Sequence, residues 1–126
     1  MRYLGIDYGT KKIGIAVSDE RGVMAFPLSV VPNDHNKTLF ETIRVENPSA
    51  VVIGESKNLA GDDNTLAESV RELVTDITLE FGLPVHLVPE HFTSVEAKRN
   101  TKKALADASA AALLLQGFLD TQHQTS

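Results

Sequence analysis

The sequence of 126 residues contains no cysteine and no tryptophan, and only 6% of its residues are aromatic. Without cysteine the chain can form neither a disulfide bond nor a thiolate metal site, and a reducing compartment is permitted. The low aromatic content argues against a protein that stacks many single-stranded bases on aromatic rings. Oxygen and nitrogen atoms of the side chains are therefore the expected source of any chemistry.

Long hydrophobic runs are also missing, since no apolar stretch approaches the roughly 20 residues that span a bilayer. The first residues lead directly into an apolar strand and show no signal-peptide pattern. We therefore expect a cytoplasmic protein without a membrane partner. The 42% hydrophobic and 23% charged content is typical of a globular protein. The length predicts one domain, placed at residues 1–120, followed by a disordered tail over residues 121–126.

Positive charge is in the minority, and the net charge of -5 argues weakly against indiscriminate binding of nucleic acid. Half of the basic residues nevertheless fall in two short stretches. These are Lys11 and Lys12 near the start, and Lys98, Arg99, Lys102 and Lys103 towards the end. If both stretches meet beside an acidic pocket, they would bind the phosphates of a nucleic acid there. For any one of these lysines alone, a solvated surface position is the commoner situation.

The hydrophobic pattern predicts the element order βββαβαβα, with a mixed five-stranded sheet flanked by helices in an α/β fold. The predicted strands span residues 2–7, 12–18, 23–31, 50–54 and 85–88, and the predicted helices span 37–46, 64–81 and 104–119, with a short helix from Thr93 or Ser94. Pro27 marks the third strand as an edge or bulged strand. Gly14 and Ala16 give the second strand one face of small residues, which favours close packing of a helix.

Acidic residues stand at the ends of three predicted strands, namely Asp7, Glu55 and Glu90, and a fourth, Asp107, lies near the start of the last helix. The carboxyl ends of parallel strands share one rim of a sheet, where ligand sites of α/β proteins collect. Carboxylates crowded at one rim repel each other unless cations neutralise them. Two Mg²⁺ or Mn²⁺ ions roughly 3.5–4 Å apart would do so and would support in-line hydrolysis of a phosphodiester. Oxygen ligands favour these ions over Zn²⁺.

Each of these acids also has a plainer explanation. Asp7 is compatible with an ordinary Asp-x-Gly turn, and Glu55 with a solvated loop. Glu90 precedes a predicted helix, where a negative charge is favourable, and Asp107 is compatible with an exposed position on an alanine-rich helix. It is the combination of the four that favours a site.

The stretch from Leu4 to Asp19, with sequence LGIDYGTKKIGIAVSD, resembles the N-terminal signature of the YqgF family. Further matches are FGLPV at 81–85, Glu90 with TSVEA at 93–97, DASAA at 107–111 and LQGFL at 115–119. Members of this family are described as pre-16S rRNA nucleases and as Holliday-junction-resolvase-like proteins, with a ribonuclease H-like fold. The resemblance covers almost the whole chain. It implies that Asp7, Glu90 and Asp107 are the metal-binding catalytic carboxylates.

The chain departs from the family pattern in two places that bear on the site. After the fourth strand the family usually has Gly-Leu-Pro, whereas this chain has Gly54-Glu55-Ser56. Glu55 is therefore a candidate fourth ligand or a substitute for one. The usual Asp-Glu-Arg is replaced by Pro89-Glu90-His91, which removes one basic contact to phosphate.

The leading expectation is a metal-dependent nuclease that processes pre-16S rRNA, and a resolvase of branched DNA is the alternative within the same chemistry. A non-catalytic module associated with RNA or the ribosome would keep the fold without turnover. The segment Asp7-Tyr8-Gly9-Thr10 also resembles the ATP-phosphate hairpin of actin-like proteins, but 126 residues leave no room for the second domain that closes over the nucleotide. The sequence is compatible with a monomer or a homodimer, and a symmetric junction cutter would require the dimer.

Overall fold

The computed structural model describes residues 1–55, 63–89 and 106–124 of the chain. The short helix predicted from Thr93 or Ser94 lies outside the described residues, and so do Glu90 and the basic stretch from Lys98 to Lys103. Within helices and strands, side chains are not described at residues 55, 63–67, 89, 106–109 and 123–124.

The elements follow the predicted order βββαβαβα. They are β1 (Tyr3–Tyr8), β2 (Lys12–Ser18), β3 (Ala25–Pro32), α1 (Lys37–Glu46), β4 (Ala50–Glu55), α2 (Asp63–Phe81), β5 (Val85–Pro89) and α3 (Ala106–Gln124). Helix-terminating residues account for two of these boundaries. Asn47, in a left-handed conformation, ends α1 just before Pro48. Gly82, with φ of 66°, follows the last residue of α2.

The strands form one sheet in the order β3-β2-β1-β4-β5. β1, β2 and β3 are antiparallel neighbours, whereas β4 pairs in parallel with both β1 and β5. The mixed five-stranded sheet predicted from the sequence is therefore confirmed. Because β1, β4 and β5 run in the same direction, their carboxyl ends share one rim of the sheet.

Two hydrophobic clusters cover the two faces of the sheet. The cluster on the first face joins the alternating residues of the central strands, such as Ile6 and Ile53, to helices α1 and α2. The cluster on the second face packs Ala16 and Val52 against helix α3. A helix therefore packs against the small residues of β2, as their pattern predicted.

Strand β3 begins later than predicted, but it is an edge strand with a bulge, as predicted. It begins at Ala25 rather than Val23, because the Asp19 carboxylate accepts hydrogen bonds from the main-chain N–H groups of Val23 (2.8 Å) and Met24 (3.2 Å). Those two residues therefore belong to the turn. β3 lies at the edge of the sheet and its register with β2 shifts between Ile15 and Ala16, which confirms the edge or bulged strand.

The last helix continues to Gln124, whereas we predicted an end at Leu119 and a disordered tail from residue 121. Residues 121–124 are helical, and the Thr121 hydroxyl donates to the Gly117 carbonyl at 2.9 Å. The segment after Leu119 contains neither glycine nor proline, so no residue stops the helix there. Among the helices of the described residues, none combines the length and the apolar character required to cross a membrane.

Candidate functional site

Asp7 lies at the carboxyl end of β1, in the interior of the sheet. It pairs with Gly14 of β2 on one side and with Gly54 of β4 on the other, and it is half-buried. Strand alternation gives Asp7 the same phase as Gly5, which lies against Leu115 of α3. Asp7 therefore lies on the face of the sheet that α3 covers.

Helix α3 runs antiparallel to β1, with its start towards the rim of the sheet. Near its far end, the Phe118 ring packs edge-on against Tyr3, with 5.6 Å between ring centroids. Further back along the helix, Leu114 lies against Gly54, the residue paired with Asp7. Position 107 is two helical turns before Leu114 and shares its helical stripe. The backbone thus carries the first turn of α3 towards the strand end that holds Asp7.

Gly54 allows this close approach of α3. A Cβ atom at position 54 would lie 2.8 Å from Leu114 Cδ2, closer than carbon atoms pack in proteins. The absence of a side chain therefore lets the helix come within contact of β4 beside Asp7. The same contact explains in packing terms why a glycine stands near the end of this otherwise apolar strand.

The other strand-end acids are placed only through the backbone. Position 55 pairs with Pro89, the last residue of β5, and Glu90 follows Pro89 in the sequence but lies outside the described residues. In strand alternation, position 55 has the phase of Ile53, which is opposite to that of Asp7. The roles predicted for Glu55 and Glu90 stay predictions.

Within the described part of the chain, no group of three or more His, Asp or Glu residues could hold a metal ion. Of the four predicted acids, only the side chain of Asp7 belongs to that part. The metal set of Asp7, Glu90 and Asp107 stays a prediction.

A tight turn follows Asp7 and presents two lysines. A Cβ atom at Gly9 would lie 2.6 Å from the Lys12 carbonyl oxygen, so only glycine fits this turn. Lys11 and Lys12 are exposed, a few residues from Asp7 along the chain. The other predicted basic residues, Lys98, Arg99, Lys102 and Lys103, lie outside the described residues.

Two asparagines after β3 hold this turn, and neither was among the site residues predicted from the sequence. The Asn33 side-chain amide donates to the Gly9 carbonyl at 2.8 Å, and its main-chain N–H donates to the Lys11 carbonyl at 2.9 Å. The Tyr8 hydroxyl donates to Asn36 Oδ1 at 3.0 Å. Because these contacts join segments more than 20 residues apart in sequence, no local pattern signals them.

A polar groove of about 430 Å³ lies beside the turn, on the face of the sheet that α1 and α2 cover. It is lined by Tyr8, Thr10, Asn33, His35, Asn36, Ser69, Glu72 and Asp76. Glu72 and Asp76 give this lining two carboxylates, and the described residues that line it include neither lysine nor arginine. A phosphate group would be repelled here rather than bound.

A family model described as "RuvX: Holliday junction resolvase" matches residues 1–121 of the chain. Among curated proteins, a "Putative pre-16S rRNA nuclease" of Lawsonia intracellularis is 38% identical, with 95% of this chain and 94% of the relative covered. A protein of the same name from Oleidesulfovibrio alaskensis is 34% identical, with 95% and 92% covered.

Solved structures share the fold at low sequence identity. RuvC of T. thermophilus in complex with a Holliday junction substrate superposes with a TM-score of 0.68 at 17% identity, with 99% of this chain and 97% of that chain covered. The fowlpox virus resolvase in complex with Holliday junction DNA gives a TM-score of 0.58 at 11% identity, with 97% and 99% covered. The α/β fold predicted from the sequence, with its mixed sheet, is therefore that of resolvase-like proteins.

Proposed function

This chain belongs to the RuvX family, whose model matches residues 1–121, and from that membership we propose that it is a nuclease that hydrolyses phosphodiester bonds in structured nucleic acid. We propose pre-16S rRNA as the first substrate, because relatives 38% and 34% identical over nearly their full length carry that substrate in their names.

The observation that carries this proposal is the convergence of chain segments at one rim of the sheet. Asp7 lies there beside β4, and the end of β4 lies beside the end of β5. The start of α3 is directed to the same rim. A phosphodiester at this rim would face the Asp7 carboxylate, and we propose that Glu55, Glu90 and Asp107 act on it there as well.

We propose that Asp7, Glu90 and Asp107 hold Mg²⁺ or Mn²⁺, with Glu55 as a further catalytic carboxylate. Carboxylate oxygens are the ligands that these hard cations prefer. When bound, two such ions supply an activated water and stabilise the leaving oxygen in phosphodiester hydrolysis. Asp7 would provide a negative charge at a fixed place, because pairing with β2 and β4 holds its main chain at the strand end.

The basic residues have a separate part in this proposal. Lys11 and Lys12 are exposed on the turn after Asp7 and would contact phosphates that flank the scissile bond. We assign the same part to Lys98, Arg99, Lys102 and Lys103. Local positive charge of this kind would let a chain of net charge -5 bind a polyanion at one place on its surface.

Cleavage of four-way DNA junctions is the second candidate function. The family description names Holliday junction resolvases, and RuvC with its junction substrate shares the fold. A junction has two symmetric cleavage points, so this activity would require a homodimer with two sites. Processing of rRNA is compatible with a monomer.

The test is cleavage by the wild-type chain and by Asp7→Asn, with Mg²⁺ or Mn²⁺ and without divalent metal. Asn removes one negative charge while it keeps the size of the side chain, so we expect cleavage to fall below detection and the melting temperature to change little. Asp76→Asn is the matched control, because Asp76 is an exposed acid of α2 and lines the groove on the face of the sheet opposite to that of Asp7. Undiminished cleavage by Asp7→Asn would exclude the assigned role.

The choice between the two substrates requires a direct comparison. Labelled pre-16S rRNA fragments and four-way DNA junctions are incubated with the same enzyme preparation, and sedimentation gives the oligomeric state. We expect metal-dependent cuts in the rRNA fragment. Cleavage of the junction alone, by a dimer, would replace the first substrate with the second. Cleavage of neither would contradict the nuclease proposal.

A further inference from the structure

We propose that Asn33 is a positioning residue for nucleic-acid binding, because it holds the turn that presents Lys11 and Lys12. The inference rests on the proposed function and adds to it a residue outside the acidic set. Asn33 would act through the two lysines and would itself contact neither substrate nor metal.

The geometry is that of a clamp on two carbonyl groups of one turn. The Asn33 side-chain amide donates to the Gly9 carbonyl at 2.8 Å, and the main-chain N–H of the same residue donates to the Lys11 carbonyl at 2.9 Å. One residue therefore fixes both sides of the turn between β1 and β2. Asn33 is itself half-buried, so its side chain has restricted freedom.

The residue before this turn is held by the same loop. The Tyr8 hydroxyl donates to Asn36 Oδ1 at 3.0 Å, and Tyr8 is only 6% exposed. The loop after β3 thus contacts the segment 8–11 at both ends. Hydrogen bonds shielded from water in this way restrict the main chain more than exposed ones do.

A clamp matters here because the turn would otherwise be mobile. Gly9 has more backbone freedom than any other residue type, and the lysine side chains that follow are long and flexible. Fixing the main chain at Gly9 and Lys11 reduces the entropy that is lost when the lysines bind phosphates. Loss of the clamp should therefore weaken binding through Lys11 and Lys12 while the sheet stays folded.

The experiment is a double-mutant cycle between Asn33→Ala and the pair Lys11→Ala with Lys12→Ala. All chains carry Asp7→Asn, so that binding is measured without cleavage. The probes are a pre-16S rRNA fragment and a four-way DNA junction, followed by fluorescence anisotropy over a range of salt concentrations. His35→Asn is the control, because His35 is an exposed residue of the same loop and asparagine tolerates its left-handed backbone.

We expect Asn33→Ala to weaken binding about tenfold, the loss of one well-ordered polar contact, and to reduce the salt slope by about one phosphate contact. In the background without Lys11 and Lys12, the same substitution should change the affinity by less than about twofold, since its effect is transmitted by those residues. Hydrogen exchange should become faster at residues 9–12 and stay unchanged in β1 and β4. The control should bind as the parent does.

Three outcomes would overturn the assignment: unchanged binding in Asn33→Ala, the full loss persisting without the two lysines, or faster exchange across the whole sheet, which would show a general structural role. Failure of the proposed function has a different signature. In that case the parent chain itself would bind neither probe, and wild-type protein would not cleave the rRNA fragment.

Discussion

At the scale of single residues, Gly54 makes room for the Leu114 side chain of α3 beside the strand end that holds Asp7. A Cβ atom at position 54 would lie 2.8 Å from Leu114 Cδ2 and 3.1 Å from Leu114 Cδ1. We predict that Gly54→Ala lowers the free energy of unfolding by about 1–3 kcal/mol, the usual cost of overpacking. It should also reduce cleavage, because the buried Leu114 side chain must shift beside the strand end that holds Asp7. Urea unfolding and the cleavage assay measure the two effects.

Leu114→Ala provides the matched variant for this contact. Alone it should cost about 2–5 kcal/mol, as truncation of a buried leucine does. When Leu114→Ala is combined with Gly54→Ala, the methyl group added at position 54 enters the space that the leucine side chain vacates. The two costs should therefore be less than additive by about 1 kcal/mol or more. Strict additivity would show that residue 54 acts without contact to Leu114.

The residue scale also shows which parts of the site were predictable. Asp7 was identified because a carboxylate at the end of an apolar strand, before a glycine turn, is visible in a few consecutive residues. Asn33 was not identified, because its importance comes from a hydrogen bond to a carbonyl 24 positions away in sequence. Asparagine after a strand has no special local signature beyond that of a loop residue. Long-range main-chain contacts are therefore where the sequence pattern is least informative.

At the scale of elements, the start of α1 depends on Asp34. The residue at the N-cap position is Asn36, but the side chain that satisfies the first turn is that of Asp34. Asn36 occupies the cap position in a left-handed conformation without a side-chain cap bond. Asp34 instead accepts from the Thr38 main-chain N–H at 3.1 Å and from the Thr38 hydroxyl at 2.6 Å. A carboxylate at this place satisfies a donor of the first turn and favours the helix dipole.

The Asp34 cap predicts a pH dependence of stability. The hydrogen bonds from the Thr38 hydroxyl and main chain lower the pKa of Asp34 below its usual value of 3.8. A carboxyl group whose folded-state pKa is depressed contributes stability above its unfolded-state pKa and loses it as the pH falls through the folded-state value. We therefore expect Asp34→Asn to melt a few degrees below wild type at pH 7, and the difference to shrink below about pH 4.

Thermal melts from pH 7 to pH 2 measure this difference. Glu41→Gln controls for the removal of one negative charge, because Glu41 is an exposed residue of the same helix. A gap between wild type and Asp34→Asn that is constant across the whole range would contradict the cap assignment.

Element boundaries were predictable where a local stop or start exists and less so elsewhere. Residues 37–46 agree with the predicted α1 at both ends, since Asn47 and Pro48 terminate it. β3 starts two residues later than predicted, because the Asp19 carboxylate accepts hydrogen bonds from the main-chain N–H groups of Val23 and Met24. The predicted end of α3 at Leu119 is too early, because the polar residues that follow contain no helix breaker and continue the helix to Gln124.

At the scale of the whole molecule, the sequence predicted the mixed sheet, but the spatial order of strands required the structure. With β1 central, between β2 and β4, Asp7 has a neighbouring strand on each side. The Val and Ile residues of β4 are buried on both faces, which is why this strand reads as a continuous apolar run. The small residues of β2, which are visible in the sequence, do predict which face of the sheet a helix packs against.

Metal binding at the proposed site should be linked to the stability of the whole fold. If the rim binds Mg²⁺ or Mn²⁺ only in the folded state, the metal must raise the free energy of unfolding, by about 2.7 kcal/mol at a free concentration 100 times the dissociation constant. For a chain of this size the melting temperature should then rise by roughly 10 °C. Asp7→Asn should lose most of that rise, because it removes one ligand and one charge. The double variant Glu72→Gln with Asp76→Asn should keep it, since those acids line the groove on the other face. A different result would contradict this assignment: an equal rise in melting temperature for wild type and Asp7→Asn, and no rise for the groove variant. The cation would then bind in the groove, and the proposed nuclease chemistry would have no metal at the rim.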